Sequence, residues 1–286
     1  MQYSGQGFGF AISGKTSPVR SMVSENSDTV SSPDRSRAHA GIICTQLMEL
    51  RPLIARLDRR RRYTDQHMRF IGGFLNESIR VAVVEAGAGF AAHRRATRIL
   101  IREHCPAWVI SAGLSSSLAE DVRPGDLSLA TSIRDTHGQQ LDVRCPVPES
   151  ARVLQRPHLV ADRHPVTRQQ KAELAAQWSA AVADTSSLAV GQVCQETRTR
   201  FLSIRGILDG LVEDMPRTVA MSFFEQAGTG SDHVLSDWWM RMRRTPEERE
   251  WMKRAQTVAR HLERYLTGVL RQIGKHLQGT GKLIDE

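Results

Sequence analysis

Short, nearly all-apolar runs alternate along this chain with segments whose apolar residues recur every three or four positions, the two patterns of buried strands and amphipathic helices. The first regular stretch begins near His39, where Ala40 to Cys44 reads as a strand and Gln46 to Ile54 as the helix after it. Met68 to Leu75 and Ile79 to Ala86 read as two strands joined by Asn76-Glu77-Ser78. The second is almost wholly apolar, as a strand covered on both faces should be. Phe90 to His104 reads as an amphipathic helix with Arg94, Arg95, Arg98 and Arg102 outward, and Trp108 to Ala112 as the next buried strand, closing at Gly113. A strand over Leu127 to Ile133 leads into a polar loop around Asp135 to Pro148. His158 to His164 is a weaker strand pattern, Gln170 to Trp178 a helix, Ala181 to Glu196 a strand and helix, and Phe201 to Asp209 a strand. Loop and short helix are expected over 211–242. Thr245-Pro246-Glu247-Glu248 then supplies a cap, a first-turn proline and early acids for a helix over 245–277, packed by Trp251, Leu262, Leu266 and Leu270.

Repeated strand-helix units of this kind predict an α/β fold, a three-layer sandwich with a mixed, mostly parallel sheet between helices. Residues 1–37 are rich in Gly, Ser and charge and predict a flexible tail, leaving 38–286 as a single domain. The fragments Gly5-x-Gly7-x-Gly9 and Gly14-Lys15-Thr16 lack the preceding strand and the glycine spacing of a phosphate loop.

Composition narrows the function classes. The 286 residues are 40% apolar, enough for a sizeable core, and the formal charge is +8. Arginine supplies most of that charge, including the block Arg59 to Arg62, but the basic residues are scattered and no nucleic-acid motif accompanies them, so a solvated surface is expected. The cysteines Cys44, Cys105, Cys145 and Cys194 form no Cys-x-x-Cys pair and have no histidine at ligand spacing. That pattern argues against zinc and a disulfide framework, and thiols buried in a reducing compartment are expected. No apolar run approaches the ~18 residues of a membrane span, and no signal-peptide order opens the chain, so a cytoplasmic protein without membrane or nucleic-acid partners is expected.

Candidate chemistry gathers at strand ends. The run Phe201-Leu202-Ser203-Ile204-Arg205-Gly206-Ile207-Leu208-Asp209 closes on one acid beside Gly210, either a carboxylate delivered to a sheet edge or the start of an Asp-Gly turn. Gly41 to Glu49 pairs a strand and turn with an acid in the first turns of a helix, a position that helix dipoles favour in any case. Glu85-Ala86-Gly87-Ala88-Gly89 punctuates a strand-to-helix turn, and Ser111-Ala112-Gly113-Leu114-Ser115-Ser116-Ser117-Leu118 precedes Val122-Arg123-Pro124-Gly125-Asp126.

In this order, these motifs resemble those of the nucleoside phosphorylase and nucleosidase superfamily, in particular the nucleosidases that cleave methylthioadenosine and adenosylhomocysteine. The likeness spans 39 to about 210 and the final helix. It implies cleavage of the N-ribosidic bond of a purine nucleoside or a 5′-substituted relative. Asp209 stands where the family's acid works on the purine, Arg205 where its Arg precedes Ala-Ile-Ser-Asp, and Glu49 where its Glu positions the attacking water. Gly87, Gly89 and Gly113 fall in its glycine turns, and Thr185, Ser186 and Ser187 fall where it grips the ribose. Three departures stand at the site: Ser186 replaces the ribose-binding Glu, Leu208 the Ser before Asp, and Ser116 and Ser117 a glycine pair. The resemblance implies no cofactor, with phosphate as co-substrate only in phosphorolysis, and a homo-oligomer. Hydrolysis is favoured because no phosphate-binding base is evident near Gly87. A catalytically impaired homologue that binds a nucleoside-like ligand is the third reading.

Overall fold

The computed structural model describes residues 38–66, 68–144, 153–225 and 245–279. The expected tail over 1–37, the end of the 135–148 loop with Cys145, and positions 226–242 of the loop and short helix expected over 211–242 lie outside those residues. Ten strands form one sheet with the order β10-β6-β8-β9-β5-β1-β4-β3-β2, and β7 pairs with β6. Three of them set its centre. β1 (Ala40–Cys44) lies between β4 (Ile79–Glu85) and β5 (Trp108–Ser117), all three parallel. Antiparallel β3 (Met68–Leu75) and β2 (Asp58–Asp65) extend it to one edge.

Alternation along β1 divides the interior. Ala40, Ile42 and Cys44 join the cluster packed against α1 (Arg51–Ala55) and α6 (Pro246–Gly279), the helix that follows the short α5 (Arg217–Ala220), while Ile43 joins the cluster of α2 (Phe90–His104) and α4 (Ser187–Glu196). Successive side chains leave a strand on opposite faces, so one apolar run seals both layers. Helix α6 buries Leu262, Leu266 and Leu270 completely, with Trp251 close to it, an apolar stripe at helical spacing. Arg94 and Arg98 of α2 both reach Glu196 of α4 and tie the opposite layer together.

At the far end the sheet curls. β10 (Arg200–Asp209) pairs with both β5 and β6 (Leu127–Asp135), β6 pairs with β8 (Val153–Val160), β8 with β9 (Val182–Asp184), and β9 returns to β5. This closure explains the largest boundary difference from the sequence pattern. β5 continues past Gly113 to Ser117 because Gly113 to Ser116 keep pairing with β10, and Ser116 and Ser117 also meet β9. Serine is a weak strand former, and only the ladder on both sides holds it here. Three further corrections concern local pattern. The 135–148 loop contains β7 (Gln140–Asp142), the strand expected at 158–164 runs instead over Val153–Val160, and the helix expected from Gln46 begins as a 3-10 turn at Leu47–Leu50 before α1. The Arg59 to Arg62 block is solvated as expected but is an edge strand, where a run of charge discourages pairing with another chain. Cys44 and Cys194 are buried, whereas Cys105 is exposed at the left-handed C-cap of α2.

Candidate active site

Two openings lie at the carboxyl ends of the central strands. The inner one is a polar cavity of about 10 Å³ lined by Glu49, His93, Gly113, Asp184, Ser186 and Arg205 among others. Its volume matches about one water molecule. The outer one is a cleft of about 500 Å³ whose described walls include Ala88, Gly89, His164, Gln170 and Arg217. Thr185 and Phe224 border both.

Glu49 enters the inner cavity from the 3-10 turn after β1. Its Oε1 accepts the Leu114 N–H at 2.9 Å and its Oε2 the Gln46 N–H at 2.9 Å. Gly113 is required beside it, since a Cβ at 113 would stand 2.9 Å from Glu49 Oε1. Burial pushes the Glu49 pKa up to about 7, against the pull of those N–H groups and the Arg205 guanidinium. A carboxylate poised there can exchange a proton with water at neutral pH.

Arg205 comes from the middle of β10 and is 3% exposed. Its Nε lies 3.2 Å from Asp184 Oδ2, one Nη donates to Ser111 Oγ at 2.9 Å, and the other to the Ile204 carbonyl at 3.0 Å. Asp184 also accepts the N–H groups of Ser186 and Ser187 through Oδ1, at 2.7 and 2.9 Å, which caps α4. Burial raises the Asp184 pKa, but Arg205 and the Ser187 contacts outweigh it, and the group stays ionised below its usual range. His93 and His158 are buried and pushed down to about 4 and about 3, so both are neutral imidazoles.

The structure brings Glu49, Gly113, Thr185, Ser186 and Arg205 together around the inner cavity. Gly89 lies on the outer cleft instead. Gly87 lies on neither described wall; its N–H donates to the Thr45 carbonyl, and its φ of 75° is one that glycine adopts without strain. Asp209 is fully buried and lines neither opening. Its Oδ2 forms an ion pair with fully buried Lys171 of α3 (Arg168–Gln177), and its Oδ1 accepts the Ser116 hydroxyl at 2.6 Å. Burial raises its pKa to about 6, with Lys171 and Ser116 opposing. Lys171 Nζ also donates to the Gly210 and Glu213 carbonyls, at 2.9 and 2.7 Å.

Lys171, His93, His158, His164 and the role of Asp184 escaped the sequence reading. Each sits in an ordinary helix or strand pattern, and no local signal marks any of them: Lys171 is the one buried residue of its helix. Among the described residues, no group of three or more His, Cys, Asp or Glu is arranged to hold a metal ion.

Together these features define an α/β fold with a polar cavity at the ends of its central strands, the place where open sheets of this class bind ligands. Residues 39–167 match the sequence model of the phosphorylase superfamily. The chain resembles the nucleoside phosphorylases and nucleosidases, and its fold is theirs. Among solved structures it is similar to the methylthioadenosine/adenosylhomocysteine nucleosidase of Colwellia psychrerythraea 34H in complex with adenine. The identity is 19% over 66% of this chain and 89% of the other, with a TM-score of 0.56. The corresponding nucleosidase of Neisseria meningitidis, bound to methylthio-immucillin-A, is 20% identical over 66% and 93% of the two chains, with a TM-score of 0.55. Futalosine hydrolase of Helicobacter pylori strain 26695 is 17% identical over 72% and 98%, with a TM-score of 0.54. No curated protein matches the chain.

Proposed function

We propose that this protein cleaves the N-ribosidic bond of a purine nucleoside or a 5′-substituted relative by hydrolysis. The observation that carries the reading is Glu49, a buried carboxylate with pKa about 7 beside a cavity the size of one water. Glu49 takes the proton of that water as it attacks the anomeric carbon, and the ribosidic bond opens through an oxocarbenium-like state. Thr185 and Ser186 hydroxyls meet the ribose, Arg205 and Asp184 fix the cavity wall, and Asp209 is the source of the proton the departing base needs. No cofactor is required for these steps. Water is favoured over phosphate because Arg205 is the one cation among the described cavity residues, and its guanidinium is committed to Asp184, Ser111 and Ile204. The soluble homo-oligomer common in this superfamily, working in the cytoplasm on a small-molecule substrate, is part of the same proposal.

One observation favours a second reading, a homologue that binds a nucleoside-like ligand without turning it over. Ser186 stands in place of a carboxylate that would accept two sugar hydroxyls, each such bond contributing roughly 1.5–3 kcal/mol. Chromatographic measurement of base release from methylthioadenosine, adenosylhomocysteine and adenosine, with and without phosphate, separates the readings. Release that needs no phosphate is expected. Release only with phosphate refutes hydrolysis, and binding without release establishes the second reading.

A further inference from the structure

Asp209 has no surface in either opening, yet it is joined to the outer cleft through two side chains. The Ser116 hydroxyl donates to Asp209 Oδ1 at 2.6 Å and lies 2.7 Å from His164 Nε2. A serine hydroxyl has one proton; since it is given to Asp209, the bond to His164 runs from Nε2–H to Ser116 Oγ. His164 Nδ1 is then an acceptor, and it is buried with no hydrogen-bond partner among the described residues, on a ring that borders the cleft and stacks on Phe224 with centroids 3.5 Å apart. A buried ring nitrogen without a partner is costly unless a ligand supplies one.

We propose that His164 is the group that protonates the departing base, fed by Asp209 through the Ser116 hydroxyl. The inference rests on ribosidic cleavage as the activity. In the charged-up state Asp209 is a carboxylic acid donating to Ser116, Ser116 donates to Nε2, and His164 carries its proton on Nδ1. As the bond between C1′ and the base breaks, its electron pair goes to the base. Nδ1–H passes to a purine ring nitrogen, the Ser116 proton to Nε2, and the Asp209 proton to Ser116. The imidazole stays neutral throughout and changes tautomer only. The end state has the hydrogen-bond directions assigned above, with Ser116 donating to an Asp209 carboxylate that is paired with Lys171. Glu49 gains one proton from water as Asp209 loses one, and both exchange with solvent before the next turnover.

The charged groups facing this chain among the described residues are Lys171 from α3, Asp184 from β9, and Asp162, Arg163, Arg217 and Glu225 on the cleft wall, with Glu213 beside Asp209. Burial and Lys171 hold the His164 pKa down to about 3, which suits a neutral relay and excludes a standing imidazolium. Ser116 thereby gains a reason to differ from the glycine of the resembling family, because a glycine would leave no hydroxyl to bridge Asp209 and His164.

The test compares purine nucleosides with 4-nitrophenyl riboside, whose leaving group needs no proton. His164→Phe, which keeps the stack on Phe224, and Ser116→Ala should each lower kcat for purine release by about 10²- to 10⁴-fold, the span of general acid catalysis. Nitrophenyl release should stay within about threefold. Purine release unchanged in both variants, or equal losses on both substrates, overturns the relay and leaves the activity standing. A wild-type protein that cleaves only the nitrophenyl substrate overturns the relay and, with it, a purine nucleoside as the substrate. A wild-type protein that cleaves neither substrate overturns the activity and the relay together.

Discussion

Replacing Glu49 with Gln isolates the physical consequence of burying that carboxylate. The folded state holds its pKa at about 7 against an ordinary value of 4.5. Because the folded value is raised, the unfolded chain gives up the proton first, and the folded state loses relative stability as pH rises from 4.5 to about 7. The integrated cost is about 0.8 kcal/mol at pH 5 and about 3.3 kcal/mol at pH 8, from the two pKa values and 1.36 kcal/mol per unit. Glu49→Gln removes this group's titration. It also places an amide NH₂ against either the Gln46 or the Leu114 N–H, which sacrifices one hydrogen bond at a cost of roughly 1–3 kcal/mol at every pH. That fixed loss cancels when each protein is compared with itself across pH. Urea unfolding at pH 5, 6, 7 and 8 should therefore show the wild type losing about 2.5 kcal/mol more than the variant over that range. Parallel stability curves would refute the claim that Glu49 is held near neutrality by its surroundings. Base release, measured on the same samples, should fall at least about 100-fold in the variant if the carboxylate accepts the proton of water.

Three other outcomes follow from the geometry. Lys171→Met strands the Asp209 carboxylate in the interior and should cost about 3–5 kcal/mol in urea unfolding at pH 8; adding Asp209→Leu should recover much of it, as replacing both partners of a buried pair does. Gly113→Ala drives a methyl into Glu49 Oε1, so a loss of about 1–3 kcal/mol in thermal or urea unfolding is expected together with loss of base release. Arg205→Lys keeps the charge but cannot reach Asp184, Ser111 and the Ile204 carbonyl at once, and should destabilise by about 1–3 kcal/mol; a variant as stable as wild type would show that the forked geometry is unimportant.

Much of the architecture was legible as periodicity. Strands β1, β3 and β4 and helix α2 lie within a residue of where the apolar pattern puts them, because each is long, regular and buried on the expected face. The long C-terminal helix announced itself through its threonine, proline and paired acids. Glu49, Gly113 and Arg205 were marked by their match to motifs of the resembling family, and the fold gathers them into one cavity. What escaped the pattern was short or weakly encoded. β7 has three residues, β2 is a polar run with four successive arginines, and the serine end of β5 is a strand only because two neighbouring ladders hold it.

Asp209 separates the two kinds of information most sharply. The sequence alone determined that an acid closes a buried strand at that point, since five apolar residues before it and a glycine after it say as much. It could not determine what that acid faces. The curl that joins β10, β6, β8, β9 and β5 brings Lys171 and Ser116 onto it from positions 38 and 93 residues away in the chain, and His164 onto Ser116. Burial and a cation then act on the carboxylate through space, over distances of a few ångströms that no local spacing encodes. Tertiary structure alone decided that Asp209 is a paired, enclosed charge, and that its route to a ligand runs through a serine and a histidine.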